Sequence, residues 1–281
     1  MSDKYGKCKM NIVEDPDQGG FVVPKRQLVE VHSDSIFHVH TKRCKHAGTD
    51  TDEAYVKRAV ELGAKAIVFT DHAPFPGNPF GNRMDYEDLP EYISSLKRLK
   101  EMYRDQISVQ IGLEIEFFPS YLEYYKELQS NRDIEWFVLG QHMYEYSPGV
   151  YSFSDSEEEL RETEYIGLIE AMVEGAKTGL FNVVAHPDRA FRRRKLWDEH
   201  MTEMSEKLIN TVLENNLILE DNLSSYRSEN QHWEEFWQIL DGILASDETK
   251  TAMVTKGIDA HSVKELDYYC GRFGSQSSLE V

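Results

Sequence analysis

Short apolar runs rich in β-branched and aromatic residues recur along the chain from residue 35 onward. They are Ile36-Phe37, Ala66 to Phe69, Ile107 to Ile115, Trp136 to Leu139, Phe181 to Val184, Leu217 to Leu219 and Met253-Val254. Runs of this kind suit strands buried on both faces. Longer stretches with helical spacing separate them, over about 88–103, 120–131, 156–179, 198–216 and 232–248. A further helix opens at Asp50, where Glu53 three residues on makes a capping-box pattern. Alternating strands and helices predict an α/β fold with a parallel sheet and helices packed outside it. Seven such units suit a closed or nearly closed barrel better than an open sheet.

The ends of the chain read differently. Residues 1–30 are polar, with a turn-rich stretch from Glu14 to Gly20, and are expected to form an N-terminal extension in which Phe21-Val22-Val23 packs on the body. Residues 31–281 are expected to form a single domain, closing with a short helix after residue 262 and a frayed polar tail.

The polar residues that end the apolar runs carry the chemistry. Ile36-Phe37 leads into His38-Val39-His40, Phe69 into Thr70-Asp71-His72, and Ile111 into Gly112-Leu113-Glu114. Leu139 leads into Gly140-Gln141-His142, Val184 into Ala185-His186-Pro187-Asp188, and Val254 towards Asp259-Ala260-His261. Barrel enzymes keep their chemistry at the C-terminal ends of the strands. In His38-x-His40 and Asp259-x-His261, side chains two apart on an extended chain point to one face, so each pair can aim two ligands into one barrel mouth. Imidazole and carboxylate donors in this mixture suit Zn, Mn or Fe. A bridging carboxylate such as Glu114 could hold two divalent ions side by side. Cys44, between His40 and His46, offers a soft ligand the site does not need. His32, His200 and His232 fit no strand end and read as structural.

At these residues the sequence resembles the PHP (polymerase and histidinol phosphatase) superfamily. The resemblance rests on His38-Val-His40, His46, Thr70-Asp71-His72, Gly112-Leu-Glu114, His142, Ala185-His186-Pro187 and Asp259-Ala-His261, in that order, over roughly residues 36–265. It implies a distorted (β/α)7 TIM-like barrel and a trinuclear metal site. His38, His40, Glu114 and Asp259 would hold the first ion. Glu114, His142 and His186 would hold the second, and His46, His72 and His261 the third. Glu114 and Asp259 would thus serve catalysis through the metals. Asp71 would orient a neighbouring group or move a proton. Arg189, and Asn222 with Arg227, fall where the resemblance places phosphate-binding groups, and Arg192-Arg193-Arg194-Lys195 could assist.

The stretch from His38 through Lys45-His46-Ala-Gly48 to Glu53-Ala54-Tyr55, with Phe69 to Pro74, is most similar to the histidinol-phosphatase branch. That branch implies metal-dependent hydrolysis of L-histidinol phosphate to L-histidinol and phosphate, a step of histidine biosynthesis, by in-line displacement at phosphorus. The branch specific for phosphotyrosine follows its HxH differently. The loop after His142, with Tyr144, Tyr146, Tyr151 and Phe153, departs from the histidinol-phosphatase pattern and is a candidate cover for the substrate. Competing readings are another small phosphate ester, a phosphodiester, a C–N bond hydrolysed by the same metal cluster, and a non-catalytic barrel. Nine retained ligands speak against the last.

Charge and cysteine content narrow the partners. Fifty acidic residues stand against 31 basic ones, a formal net charge of −19. Such a surface repels phosphate backbones, so nucleic acid is not the expected partner and a small phosphate ester is. No apolar run reaches the ~18 residues that a membrane span requires. The three cysteines, Cys8, Cys44 and Cys270, form no disulfide framework, and the cytoplasm is the expected compartment.

Overall fold

A computed structural model of the chain describes residues 35–273 apart from 229 and 248. The N-terminal extension, His32, Cys8 and the polar tail lie outside the described residues. Seven parallel strands form one sheet in the order β1 (Ser35–Val39), β2 (Ala66–His72), β3 (Ser108–Ile115), β4 (Trp136–Leu139), β7 (Val183–Val184), β8 (Ile218–Asn222) and β9 (Met253–Gly257). The last strand returns to the first. Ile258 N donates to Phe37 O (3.0 Å), Ala260 N to His38 O (3.2 Å) and His40 N to Ala260 O (2.9 Å). These bonds close the sheet into the seven-stranded TIM-like barrel expected from the sequence.

Helices α1 (Asp52–Glu61), α2 (Leu89–Met102), α3 (Leu122–Ser130), α4 (Glu157–Lys177), α5 (Glu199–Asn215), α6 (Glu234–Ser246) and α7 (Val263–Phe273) follow the strands around the outside. Each lies within a few residues of its predicted stretch. The start of α1 differs in detail. Its N-cap is Thr51, whose hydroxyl accepts from Ala54 N, while the Asp50 carboxylate instead accepts from Val263 N (2.9 Å) and ties α7 down. A capping box does form at α4, between Ser156 and Glu159. The segment between β4 and α4 holds a small antiparallel hairpin, β5 (Glu145–Ser147) with β6 (Val150–Tyr151), that the apolar pattern did not announce. Among the described residues, no helix is long and apolar enough to cross a membrane.

Two apolar layers fix which way each side chain points. Phe37, Val68, Trp136, Val138, Val183, Ala185 and Ile218 pack inside the barrel. Val39, Phe69, Leu113, Leu139, Val184 and Leu219 pack outward against the helices. The inner plug is a floor, and the strand-end polar residues stand on it.

Candidate metal centre

Strict alternation would not bring His38 into the barrel, because Phe37 already faces inward. The ladder between β1 and β2 slips between Phe37 and Val39, and His38 takes a left-handed backbone, φ 72°. That bulge lets two successive side chains, Phe37 and His38, face the interior while Val39 turns out and His40 turns in. His186 repeats the device. Ala185 belongs to the inner floor, and His186, at φ 32°, follows it inward. Asp259 is the third left-handed ligand candidate, at φ 49°. A left-handed residue with a Cβ costs roughly 1–2 kcal/mol. Three of them at one barrel mouth mark a site whose geometry is imposed by the surrounding structure.

Glu114 lies at the centre. It is buried, and Oε2 is 3.1 Å from His72 Nδ1 and 3.4 Å from both His38 Nε2 and His40 Nε2. Oε1 is 2.9 Å from His186 Nε2 and 3.6 Å from His142 Nε2. Asp259 Oδ1 stands 3.2 Å from His40 Nε2 and 3.8 Å from His38 Nε2. His261 stacks on His40 with ring centroids 4.2 Å apart, and the His46 ring lies 4.4 Å from His261 and 5.3 Å from His72. All nine donors named from the sequence are thus brought together.

The donors are also poised for a cation. Burial works against the Glu114 charge, but His72, His142, His38 and the His186 hydrogen bond outweigh it and hold Glu114 well below the usual carboxylate range. Burial is likewise outweighed at Asp259, by His40, Arg189 and His38. Burial pushes His72 and His142 well down and His40 to about 3, which favours neutral rings with a free lone pair. His38 Nε2, His40 Nε2, His72 Nδ1, His261 Nε2 and Glu114 Oε2 are buried without a hydrogen-bond partner. Such orphans are rare in a folded interior unless an ion completes them. Five overlapping groups have ligand spacing among the described residues: His38, His40 and Asp259; His38, Glu114 and His186; His40, His72 and His261; and two that bring in neighbours, His72, Glu116 and His142, and His40, Cys44 and Asp71.

An acceptor behind each of several rings sets its tautomer. Glu220 Oε1 is 2.6 Å from His38 Nδ1, Glu116 Oε1 is 3.0 Å from His142 Nδ1, Asn82 O is 3.1 Å from His46 Nδ1 and Asp259 O is 3.1 Å from His261 Nδ1. A proton held at Nδ1 leaves Nε2 free to face the centre. Cys44 Sγ lies 3.5 Å from His40 Nδ1 and accepts from His72 N at 3.2 Å. It therefore sits behind the His40 ring, on the side away from Glu114. Asp71 falls on the outward side of β2, and its carboxylate accepts from Thr41 N and Oγ1. Its partner is the turn after His40. Burial raises Asp71 to about 6.

Glycine makes the central carboxylate possible. A Cβ on Gly140 would overlap the Glu114 carboxylate, and one on Gly257 would overlap that of Glu220. Gly140→Ala is expected to displace Glu114, cost roughly 1–3 kcal/mol as an overpacking change, and remove metal binding. Thermal melts and metal analysis check this. A variant with wild-type stability and wild-type metal content would contradict the arrangement.

The phosphate-binding candidates separate. Arg189 is partly buried at the site. Nη1 donates to Asp259 Oδ2 (2.9 Å) and Nη2 to Ser224 Oγ (2.7 Å) and Asn222 Oδ1 (3.3 Å). Asn222 also donates to Glu220 Oε2 (2.9 Å) and caps the turn at Ser224, so it orients its neighbours. Arg227 is not brought to this group. It reaches the other way, to Glu265 (3.1 Å) and the Tyr269 hydroxyl (3.2 Å), because the short helix after Asn222 turns it outward. The arginines of the basic run turn mostly to α4: Arg192 and Arg193 both donate to Glu164, and Arg194 pairs with Glu162 and with Asp198 at the start of α5, while Arg192 also donates to His142 O (2.9 Å). It opens no helix, since α5 begins only at Glu199. His200 bonds the Tyr165 hydroxyl, and His232 pairs with Asp188, in keeping with structural roles.

Above the donors lies a cavity of about 500 Å³ lined by His46, His72, His142, Asp259 and His261, by Arg83 and Arg189, and by Pro79, Phe80, Met143 and Phe153. Of the aromatic residues after His142, Phe153 faces this cavity. Tyr151 packs under it against Phe80 and Phe118, and Tyr144 packs against Gly167 on α4. Sequence reasoning missed Glu116, Glu220 and Arg83. The first had a signal, since Glu116 lies two residues beyond Glu114 and therefore on the same face of the extended chain.

Comparison with known proteins bears on the family and the fold. The PHP domain family model matches residues 37–224. A probable histidinol-phosphatase of Deinococcus radiodurans is 32% identical over 160 residues, covering 54% of this chain and 59% of the relative. The histidinol-phosphatase of Bacillus subtilis is 24% identical over 259 residues, covering 82% of this chain and 94% of the relative. The crystal structure of the Lactococcus lactis histidinol phosphate phosphatase, complexed with zinc, L-histidinol and phosphate, superposes with a TM-score of 0.62 at 16% identity, over 88% of this chain and 94% of that one. Seven of the nine donors fall inside the family match, with Asp259 and His261 beyond it, and the chain belongs to the PHP domain family.

Proposed function

We propose that the protein is a metal-dependent phosphomonoesterase whose substrate is L-histidinol phosphate. The observation that carries the reading is the set of nine converging donors, five of whose buried ligand atoms have no hydrogen-bond partner, beside the partly buried Arg189. The names of the relatives from D. radiodurans and B. subtilis support the substrate. The donor chemistry fits two or three divalent ions such as Zn, Mn or Fe. His38, His40, Glu114 and Asp259 would hold one, Glu114, His142 and His186 a second, and His46, His72 and His261 a third. Bound divalent ions supply Lewis-acid neutralisation of phosphoryl charge and a nucleophile at neutral pH.

The remaining work falls to the chain. Arg189 lines the cavity, and its guanidinium is fixed by Asp259 and Ser224, so it can hold a phosphoryl oxygen without reorganising. Asp259 holds both a metal position and that arginine, which sets the phosphate against the cluster. The leaving group then lies along Phe80, Met143 and Phe153, a wall that suits a flat, partly apolar group. Asp71, tied to Thr41, positions the turn carrying Cys44 and His46. The cavity suits a small molecule, and the net charge of −19 disfavours a polyanionic one.

The test is phosphate release from L-histidinol phosphate beside a panel of other phosphoesters, on protein of known metal content. Selective release that a chelator abolishes and added metal restores is the expected result. Loaded protein that cleaves another ester and leaves L-histidinol phosphate intact would overturn the substrate.

A further inference from the structure

Glu116 and Arg83 stand apart from the donors named above. Glu116 is fully buried at the end of β3, and Arg83, 6% exposed, comes from the loop between β2 and α2. The two form a double contact: Arg83 Nε donates to Glu116 Oε2 at 3.3 Å, and Nη2 to Oε1. Glu116 Oε1 also lies 3.0 Å from His142 Nδ1, and His142 Nε2 points to Glu114. The loop that carries Arg83 also supplies Asn82 O, the acceptor behind His46. It lays Phe80 against Phe118 and Tyr151, with centroids 5.2 and 4.9 Å apart. His46 is exposed and His142 only partly buried, and both lean on this one loop and its anchor.

We propose that Arg83 and Glu116 are a positioning pair that fixes the tautomer of His142 and docks the loop behind His46, and so sets metal affinity on the open side of the cluster. The inference rests on the metal-site reading above. Loop docking alone does not account for a charged pair, since an apolar pair of similar volume would hold the loop as well or better. An apolar pair could not accept the Nδ1 proton of His142. A carboxylate buried as deeply as Glu116 is costly without a partner, and Arg83 supplies one with a fork matched to its two oxygens. The pair therefore acts through His142 and His46 on whatever ion they hold.

The experiment is a chelator competition on the full-length protein, with metal content counted for the wild type, Arg83→Met, Arg83→Lys and Glu116→Gln. Melting temperatures are recorded on metal-stripped samples. Loss of a ligand-orienting partner weakens metal affinity by about 10–100-fold. Arg83→Met and Glu116→Gln are expected to lose that much for the most weakly held ion, to keep the tighter ions, and to recover activity in excess zinc. Arg83→Lys is expected to fall between them and the wild type. If Arg83→Met does not fold, Glu116→Gln and Arg83→Lys carry the same comparison. Variants that melt lower yet bind every ion as tightly as the wild type would overturn the pairing and leave the metal-site reading standing. A wild-type protein that takes up no metal would overturn both.

Discussion

Glu114→Gln leaves the barrel folded and reduces turnover by at least about 10³-fold, on the order of 4 kcal/mol of transition-state stabilisation. The size follows from the position of the residue. Its two oxygens face five imidazoles, three around Oε2 and two around Oε1. A glutamine keeps the volume and removes the charge. Its NH₂ group must then point at nitrogens whose lone pairs face the centre, so one side of the cluster is left without a bridging anion. No other side chain can step in, because Glu116 is held by Arg83 and Glu220 by His38. The checks are phosphate release, metal content and circular dichroism on the same preparation. A well-folded variant with near-normal turnover would sink the assignment of Glu114 as the bridge.

That centre was largely visible in the sequence, for a physical reason. Parallel strands buried on both faces appear as apolar runs, and the first polar residues after such runs must sit at one end of the barrel. His72, Glu114 and His142 were placed by that rule alone. Pairs two apart were placed together by alternation; Asp259 and His261 do both reach the barrel mouth, but beyond the end of β9 and with Asp259 on a left-handed backbone, φ 49°. At His38 the outcome agreed while the local reason differed: a bulge with a left-handed residue, invisible in composition, turns the side chain inward. The hairpin after His142 gave no signal because its strands are short and mostly exposed, with Glu145, Tyr146 and Ser147 in one of them. Arg227 shows the opposite failure. Its spacing from Asn222 matched an expected phosphate site, yet the direction of an exposed side chain depends on partners such as Glu265 that no local pattern reveals. Arg83 lay hidden because its partner is 33 residues away.

Glu220→Ala should be the most destabilising single change at the site, by about 3–5 kcal/mol, the usual cost of breaking a buried charged pair from one side. Glu220 is fully buried on β8. Oε1 holds His38 Nδ1 at 2.6 Å, while Oε2 accepts from His186 N at 3.2 Å and Asn222 Nδ2 at 2.9 Å. It therefore braces two of the three left-handed ligand positions, and its loss orphans their donors in the interior. Gly257 leaves room for this carboxylate, which a Cβ at that position would overlap. Glu220→Gln keeps the shape and one acceptor and is expected to cost about half as much. The effect depends on pH in a definite direction. Burial opposes charge on His38, but Glu220 and Glu114 outweigh it and hold His38 well above its ordinary value. In metal-stripped protein the pair therefore contributes fully below the unfolded histidine pKa of about 6.5 and fades as pH rises through the folded value. The deficit of Glu220→Ala should be largest in mild acid and shrink in base. Urea unfolding of metal-stripped wild type and variant across that range measures it. A deficit under about 1 kcal/mol, or one that grows with pH, would show that Glu220 does not brace His38 in this way.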